Sequence, residues 1–401
     1  MKPAERELRS RIEAAARRLA PATEALSREL HRHPELSEEE RRSAAQIARF
    51  LQREGFRVRR GVAGLPTAFI ARRGTRRGGP CVALLAEYDA LPGIGHACGH
   101  NLIAAAAAGA GAALGRVIDD LHGEVAVFGT PAEETIGGKV RMAERGVFRG
   151  VDAALMIHPS VENRVYTTSL ACHSLEVTYL GRAAHAVAAP EKGINALDAL
   201  IRLFLEIQRL KHRLSPEVRM PGVIIEGGRR ANIVPDRAVG RFTLRSRDLR
   251  TLARVESQFR EAARAAGRAT GARVRIRSID HPYAEMLTNR VIADRFRVEL
   301  RRLGRRTIDT PRRRMGSLDM GNVSQRVPAI HPYVAVAPPS APLHSRAFAR
   351  YAGGPRGRKG LAVAIRALAL TGLAVISDPA MLRAARAEFN RYRRSKTRRR
   401  R

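Results

Sequence analysis

Apolar positions recur along this chain in two distinct rhythms. In SEEERRSAAQIARFLQREG they return every three to four residues between a serine start and a glycine stop, the pattern of an amphipathic helix. The amino-terminal MKPAERELRSRIEAAARRLAPATEALSREL has the same rhythm and a high charge content, and predicts a first helix. CVALLAEYDA and GEVAVFGTPAEE are instead short and nearly all apolar, so each predicts a strand buried on both faces. FRVRRGV, TAFIARR and AALMIHPS predict further strands, and HNLIAAAAAGAGAALGRVIDD predicts a helix whose small residues permit close packing on a sheet. Strands alternating with helices predict an α/β sandwich with functional groups gathered at the carboxyl ends of the strands.

The rhythm changes near Cys172. CHSLEVTYLG alternates apolar and polar residues, as a strand with one wet face does. A helix (GINALDALIRLFLEIQRLKHRL), two strands (GVIIEGG and DRAVGRFTLRSRD), another helix (TLARVESQFREAARAAGRATG) and a strand (RVRIRSID) follow. That order is the split βαβ, ferredoxin-like layout of a small α+β domain. From about Asn289 the first style returns and ends in the long helix GGPRGRKGLAVAIRALALTGLAVISD, so the small domain reads as an insertion. The expected division is 1–170 and 287–388 for the α/β/α domain, 171–286 for the inserted domain and 389–401 for a tail.

Composition adjusts this picture in three places. A length of 401 residues agrees with two domains. The formal charge of +35 invites a nucleic-acid reading, but arginine is spread along the whole chain rather than concentrated on one element, which fits solvated surfaces better. The tail RYRRSKTRRRR is expected to be disordered by self-repulsion, with at most weak, salt-dependent contact to nucleic acid or an anionic surface. Three cysteines make no disulfide framework. The amino terminus lacks the apolar core of a signal peptide, and NLIAAAAAGAGAALG is shorter than the roughly 20 residues of a membrane span. A cytoplasmic protein with no membrane span is expected.

Candidate chemistry lies where apolar runs end. EYDALPGIGHACGHN places Glu87, Asp89, His96, Cys98 and His100 after one strand; GTPAEET supplies Glu133 and Glu134 after another; His158 follows a third, and His344 stands in APLHSRAF. Thiolate, imidazole and carboxylate together suit zinc and tolerate manganese or cobalt. The adjacent glutamates offer one carboxylate to hold an ion and one to carry a proton from water to a leaving nitrogen. Two other readings stand beside this one: a Cys98–His100 nucleophile pair, and an inactive hydrolase scaffold that binds nucleic acid through its basic tail and scattered arginines.

Several motifs in order, HRHPELSEEE, EYDALPGIGHACGHN, TPAEETIGGK, HSLEVTYLGRAAHAVAAPEKGINALDA, ANIVPD and GSLDMGNVSQRVPAIHPYVA, resemble the metallopeptidase family that contains aminoacylases and glutamate carboxypeptidases. Within it they are most similar to the amidohydrolase branch. The resemblance implies a metal-dependent hydrolase of small amides, among them N-acyl amino acids, aminobenzoyl-glutamate conjugates and dipeptides. It implies two divalent ions, with Cys98 bridging them, His100, Glu134, His158 and His344 completing the ligands, Glu133 as general base and Asp89 orienting a ligand. It also implies that His185 of GRAAHA meets the oxyanion, that Asn232 of ANIVPD holds substrate, and that the inserted domain is a lid through which two chains dimerise.

Overall fold

The computed structural model describes residues 3–75, 78–308 and 316–398. Contacts divide them into two compact units: the described residues of Met1–Thr168, Met286–Arg314 and Asn322–Arg401, and those of Ser169–Glu285 and Met315–Gly321. The boundaries fall within two residues of those read from sequence. The described residues of the short segment 315–321 are a correction, because they join the smaller unit rather than the larger one. Leu170 N donates to Gly316 O at 2.9 Å and Arg245 Nη1 donates to Ser317 Oγ at 3.2 Å, which ties it there.

The larger unit begins with α1 (Pro3–Arg32), α2 (Arg41–Arg53), β1 (Arg57–Arg60), β2 (Phe69–Gly74), β3 (Cys81–Ala86), α3 (His100–Gly115), β4 (Glu124–Gly129), α4 (Gly138–Glu144), β5 (Ala153–Leu155) and β6 (His158–Ser160). The smaller unit holds β7 (Ala171–Leu180), α5 (Ala196–Arg213), β8 (Gly222–Glu226), β9 (Arg237–Ser246), α6 (Leu249–Thr270) and β10 (Arg273–Ser278). After it come α7 (Arg290–Arg302), α8 (Met320–Ser324), β11 (Ala329–Ile330), β12 (Tyr333–Ala335), α9 (Arg346–Gly353), α10 (Pro355–Ser377) and α11 (Pro379–Arg398).

The main sheet has the order β1-β2-β4-β3-β5-β11, with β4, β3, β5 and β11 parallel and β2 antiparallel to its neighbours. Every residue of β3 and β4 is buried, as their unbroken apolar runs require. Helix α3 is buried along its whole length against β3, β4, α1 and α10. Its small side chains explain how: a Cβ on Gly111 would lie 2.5 Å from Val127 Cγ2, and one on Gly109 would lie 2.8 Å from Ile365 Cδ1. Helix α10 is long and apolar enough to cross a bilayer by composition, but most of it is buried among α1, α3 and α7. In the smaller unit the sheet order β10-β7-β9-β8 is the split βαβ arrangement, with α5 and α6 packed on β7 and β9.

Two local expectations change. Ser37 does not start α2; the helix begins after Glu40, and Ser37 Oγ instead donates to Asp89 Oδ2 at 2.8 Å. The tail expected to be disordered from 389 continues α11 through Arg398, while residues 399–401 lie outside the described residues. The helix is anchored before the charge run: Leu382 and Ala385 are buried, and Glu388 accepts from the backbone N–H of Arg290 and Val291. Arg393 then lies over the Phe389 ring, one turn back, which offsets part of the repulsion among the basic residues.

Candidate metal centre

Three strand ends and one loop bring the candidate residues of the larger unit together. The chain leaves β3 through Glu87 and Asp89 and reaches the start of α3 through Cys98, Gly99 and His100. Gly99 has φ +80°, and a Cβ there would come within 2.9 Å of Pro159, so the turn between the candidate ligands Cys98 and His100 admits glycine best. The glutamate pair follows β4 in a turn opened by Ala132 at φ 58°. Gly138 closes that turn, since a Cβ there would overlap the Pro131 carbonyl oxygen at 1.9 Å. His158 opens β6, and His344 has φ 63° before α9. The left-handed conformation costs a non-glycine residue about 1 to 3 kcal/mol, and it occurs here beside Glu133 and at His344 itself.

Cys98 Sγ is the hub, 3.4 Å from His158 Nε2 and 3.4 Å from His344 Nε2. Glu134 Oε1 lies 3.8 Å from His344 Nε2 and 3.7 Å from His100 Nε2. Three overlapping triads have ligand atoms within 4.8 Å of one another: Cys98, His100 and His158; Cys98, Glu134 and His344; Glu87, His100 and Glu133. His100 Nδ1 faces Asp89 O at 2.8 Å and Asp89 Oδ1 at 3.1 Å, which turns Nε2 toward the cluster. His158 Nδ1 is likewise held by Pro159 O at 2.7 Å. His100 Nε2 and Glu134 Oε1 are buried yet have no well-formed hydrogen bond. Buried lone pairs converging on one point are what a bound cation satisfies, so the donor set fits divalent metal.

The electrostatics describe the cluster without a cation: burial opposes the charge of His100, but Glu87, Cys98 and Asp89 outweigh it and raise its pKa, so a metal ion has to displace that proton. Burial opposes the negative charge of Asp89, but the hydrogen bond and charge of His100 outweigh it and hold this carboxyl below its usual range. Burial lowers the His158 pKa to about 3, with the neighbouring His331 and His100 adding to the effect, so the ring is neutral and able to ligate. Burial pushes the Cys98 thiol up, which disfavours a free thiolate nucleophile without a cation beside it.

His96 is outside the three triads: it is buried, with Nε2 3.1 Å from Leu30 O. His185 and Asn232 belong to the smaller unit and come together there. Their segments pair, with Ala186 N donating to Asn232 O at 3.0 Å and Val234 N to Ala184 O at 2.9 Å. His185 accepts backbone N–H groups of Val187 and Ala188 at Nδ1, a tautomer that leaves Nε2–H as a donor.

Sequence reasoning left several participants without a role. Glu87, two positions before Asp89, stands with His100 and Glu133, and its other oxygen pairs with buried Lys139. Glu40 Oε1 accepts from Ala132 N at 2.8 Å and so holds the turn of the glutamate pair. His331 packs its ring 5.4 Å from that of His158. Glu87 had a legible signal, since alternate residues leaving a strand point to one side. The others are set by contacts far away in sequence.

Residues 172–270 match the family signature of a peptidase dimerisation domain. The chain is 38% identical over 394 residues to the Xaa-Arg dipeptidase of Mus musculus, covering 94% of this chain and 90% of the relative. The chain belongs to the M20 peptidase family. This M20 peptidase is also 33% identical over 281 residues to a p-aminobenzoyl-glutamate hydrolase polypeptide of Escherichia coli, covering 65% of this chain and 58% of that one. Among solved structures, a dinuclear metal-binding M20 peptidase from Bacillus subtilis shares the fold, with a TM-score of 0.68 and 22% identity over 90% of this chain and 99% of the other. Its relatives and its site make this M20 peptidase a metal-dependent hydrolase of amide bonds.

Proposed function

We propose that this M20 peptidase cleaves dipeptides, with two divalent ions, zinc foremost and manganese second, held by Cys98, His100, Glu134, His158 and His344. The observation that carries the reading is the meeting of these donors with two adjacent glutamates in one cluster, where a ligand and a proton carrier are both needed. The dipeptide class is supported by the Xaa-Arg dipeptidase similarity, which spans nearly the whole chain. Zinc is favoured by the mixed sulfur, nitrogen and oxygen donors.

Ions bound here supply Lewis acidity, acidifying water and polarising the scissile carbonyl. Glu133 takes the proton of the attacking water and passes it to the departing amine. Asp89 fixes the ring of His100 through Nδ1. His185 donates from Nε2 to the developing oxyanion, and Asn232 holds the substrate carboxylate or carbonyl. We place a homodimer contact on the smaller unit. Its edge strand β8 exposes Val223, Ile224 and Ile225, α5 exposes Ile201 and Leu205, and this region matches the dimerisation signature. No disulfide joins the three cysteines, which supports a reducing, cytoplasmic setting.

The test is metal content of the purified protein, with hydrolysis of an amide panel before and after chelation, beside a Glu133→Gln variant. The panel holds Xaa-Arg dipeptides, aminobenzoyl-glutamate and N-acyl amino acids. Two ions per chain, activity removed by chelation and restored by metal, and a folded, metal-loaded but inactive variant are expected. Activity that resists chelation and yields to thiol reagents would instead establish the Cys98 nucleophile.

A further inference from the structure

Glu87 and Lys139 form an ion pair sealed inside the larger unit, with Lys139 fully buried and Glu87 2% exposed. A buried pair of this kind is a costly way to gain stability, because desolvation cancels most of the attraction. Its position suggests another use. Lys139 Nζ holds Glu87 Oε2, while Glu87 Oε1 points the other way and lies 2.9 Å from His100 Nε2. His100 Nε2 has no well-formed hydrogen bond, and at this distance Glu87 Oε1 is within reach of a cation bound by that nitrogen. His100 Nε2 is the nitrogen left for metal by the hold of Asp89 on Nδ1, and Glu133 completes the same triad.

Resting on the metal reading above, we infer that Glu87 is a further ligand to the ion held by His100, and that Lys139 is a positioning residue that clamps the second oxygen of its carboxylate. The clamp has a physical purpose. Glu87, Asp89, Glu133 and Glu134 crowd around the cluster, and a free carboxylate among them would rotate away from its like-charged neighbours. Lys139 neutralises one of these charges and fixes the plane of the Glu87 carboxylate, so Oε1 stays available to a cation. The lysine is itself set by the turn at Gly138, which lets α4 start against the Pro131 carbonyl immediately after the glutamate pair. Ligand, clamp and general base are thereby fixed by one short loop and one strand end.

The experiment titrates metal-free full-length protein with Zn²⁺ by calorimetry and with Co²⁺ by visible absorption, for the wild type, Glu87→Gln, Lys139→Met and the double variant. The wild type should take up two ions. Glu87→Gln should weaken one of them about 10- to 100-fold and shift the Co²⁺ bands, with Glu87→Asp restoring part of the affinity. Lys139→Met should weaken the same ion by less and shift the same bands, a signature that mere loss of packing would not give. The double variant removes both charges together and guards against misfolding of either single one; it too should lose affinity for that ion. A folded double variant or Glu87→Gln protein with two ions at wild-type affinity and an unchanged spectrum overturns the inference while leaving the metal centre standing. A wild type that binds no metal overturns both.

Discussion

Asp89 grips His100 twice at the same nitrogen, through its backbone oxygen at 2.8 Å and its carboxylate at 3.1 Å. Its other carboxylate oxygen is occupied by Ser37 Oγ at 2.8 Å and Glu134 N at 3.0 Å. One buried carboxylate thus sets the proposed histidine ligand His100 and the backbone of the proposed glutamate ligand Glu134 together. Asp89→Asn should lower metal affinity about 10- to 100-fold, since the amide cannot accept at both positions. Competition against a chelator of known affinity measures this, and unchanged affinity would remove Asp89 from the site's support.

His185 acts, in the proposed mechanism, only as charge develops on the carbonyl oxygen. His185→Ala should lower kcat about 100- to 1000-fold with the metal content unchanged. Loss of metal along with activity would show a structural role instead.

Glu40 is a buried acid that accepts from two neutral donors, Ala132 N and Thr67 Oγ1. Burial raises its pKa to about 7 from an ordinary value of 4.5, and the nearby Asp89 adds to the rise. The folded state therefore holds a proton that the unfolded chain releases, and stability falls as pH rises from about 4.5 through 7. Glu40→Gln lacks that titration. Its stability to urea relative to wild type should climb between pH 5 and pH 8, by about 2 to 4 kcal/mol in total. Parallel pH profiles for the two proteins would contradict the assignment.

Arg9 and Glu299 join α1 to α7 through two hydrogen bonds of 2.9 and 2.7 Å, both side chains being buried. Removing Arg9 leaves the buried Glu299 carboxylate with the partly exposed Arg295 at 3.0 Å as its nearest remaining cation, so Arg9→Met should cost about 1 to 3 kcal/mol, whereas Arg9→Met with Glu299→Leu should recover most of it. Chemical unfolding of the three proteins checks this, and a double variant no better than the single would show that the pair itself supplies the stability.

The charge of +35 gives a test of substrate sign. An Xaa-Arg dipeptide is a net cation and an acyl-glutamate a net anion, so the field of the protein slows encounter with the first and hastens it with the second. Raising salt should increase kcat/KM for the dipeptide and decrease it for the acyl-glutamate. Salt-independent values for both would confine the charge to surfaces away from the approach path.

The chain's alternation of buried strands and helices was legible because periodicity is a local property. So were the inserted split βαβ unit, with its half-wet strand β7, and the ligand candidates at strand ends: Cys98, His100, Glu133, Glu134, His158 and His344 are residue types with few other reasons to recur there. Tertiary structure alone decided who serves them. Ser37 reads as a helix start until Asp89 is seen beside it. Lys139 reads as an ordinary helical lysine until α4 places it on Glu87. Glu40 shows no link to the glutamate pair 93 and 94 residues later until its carboxylate meets Ala132 N. The basic run after 389 reads as repelled coil until Leu382, Ala385 and Glu388 anchor its helix. Periodicity and residue type depend on near neighbours, which sequence displays, whereas a buried charge is defined by what folding brings to within about 3 Å of it.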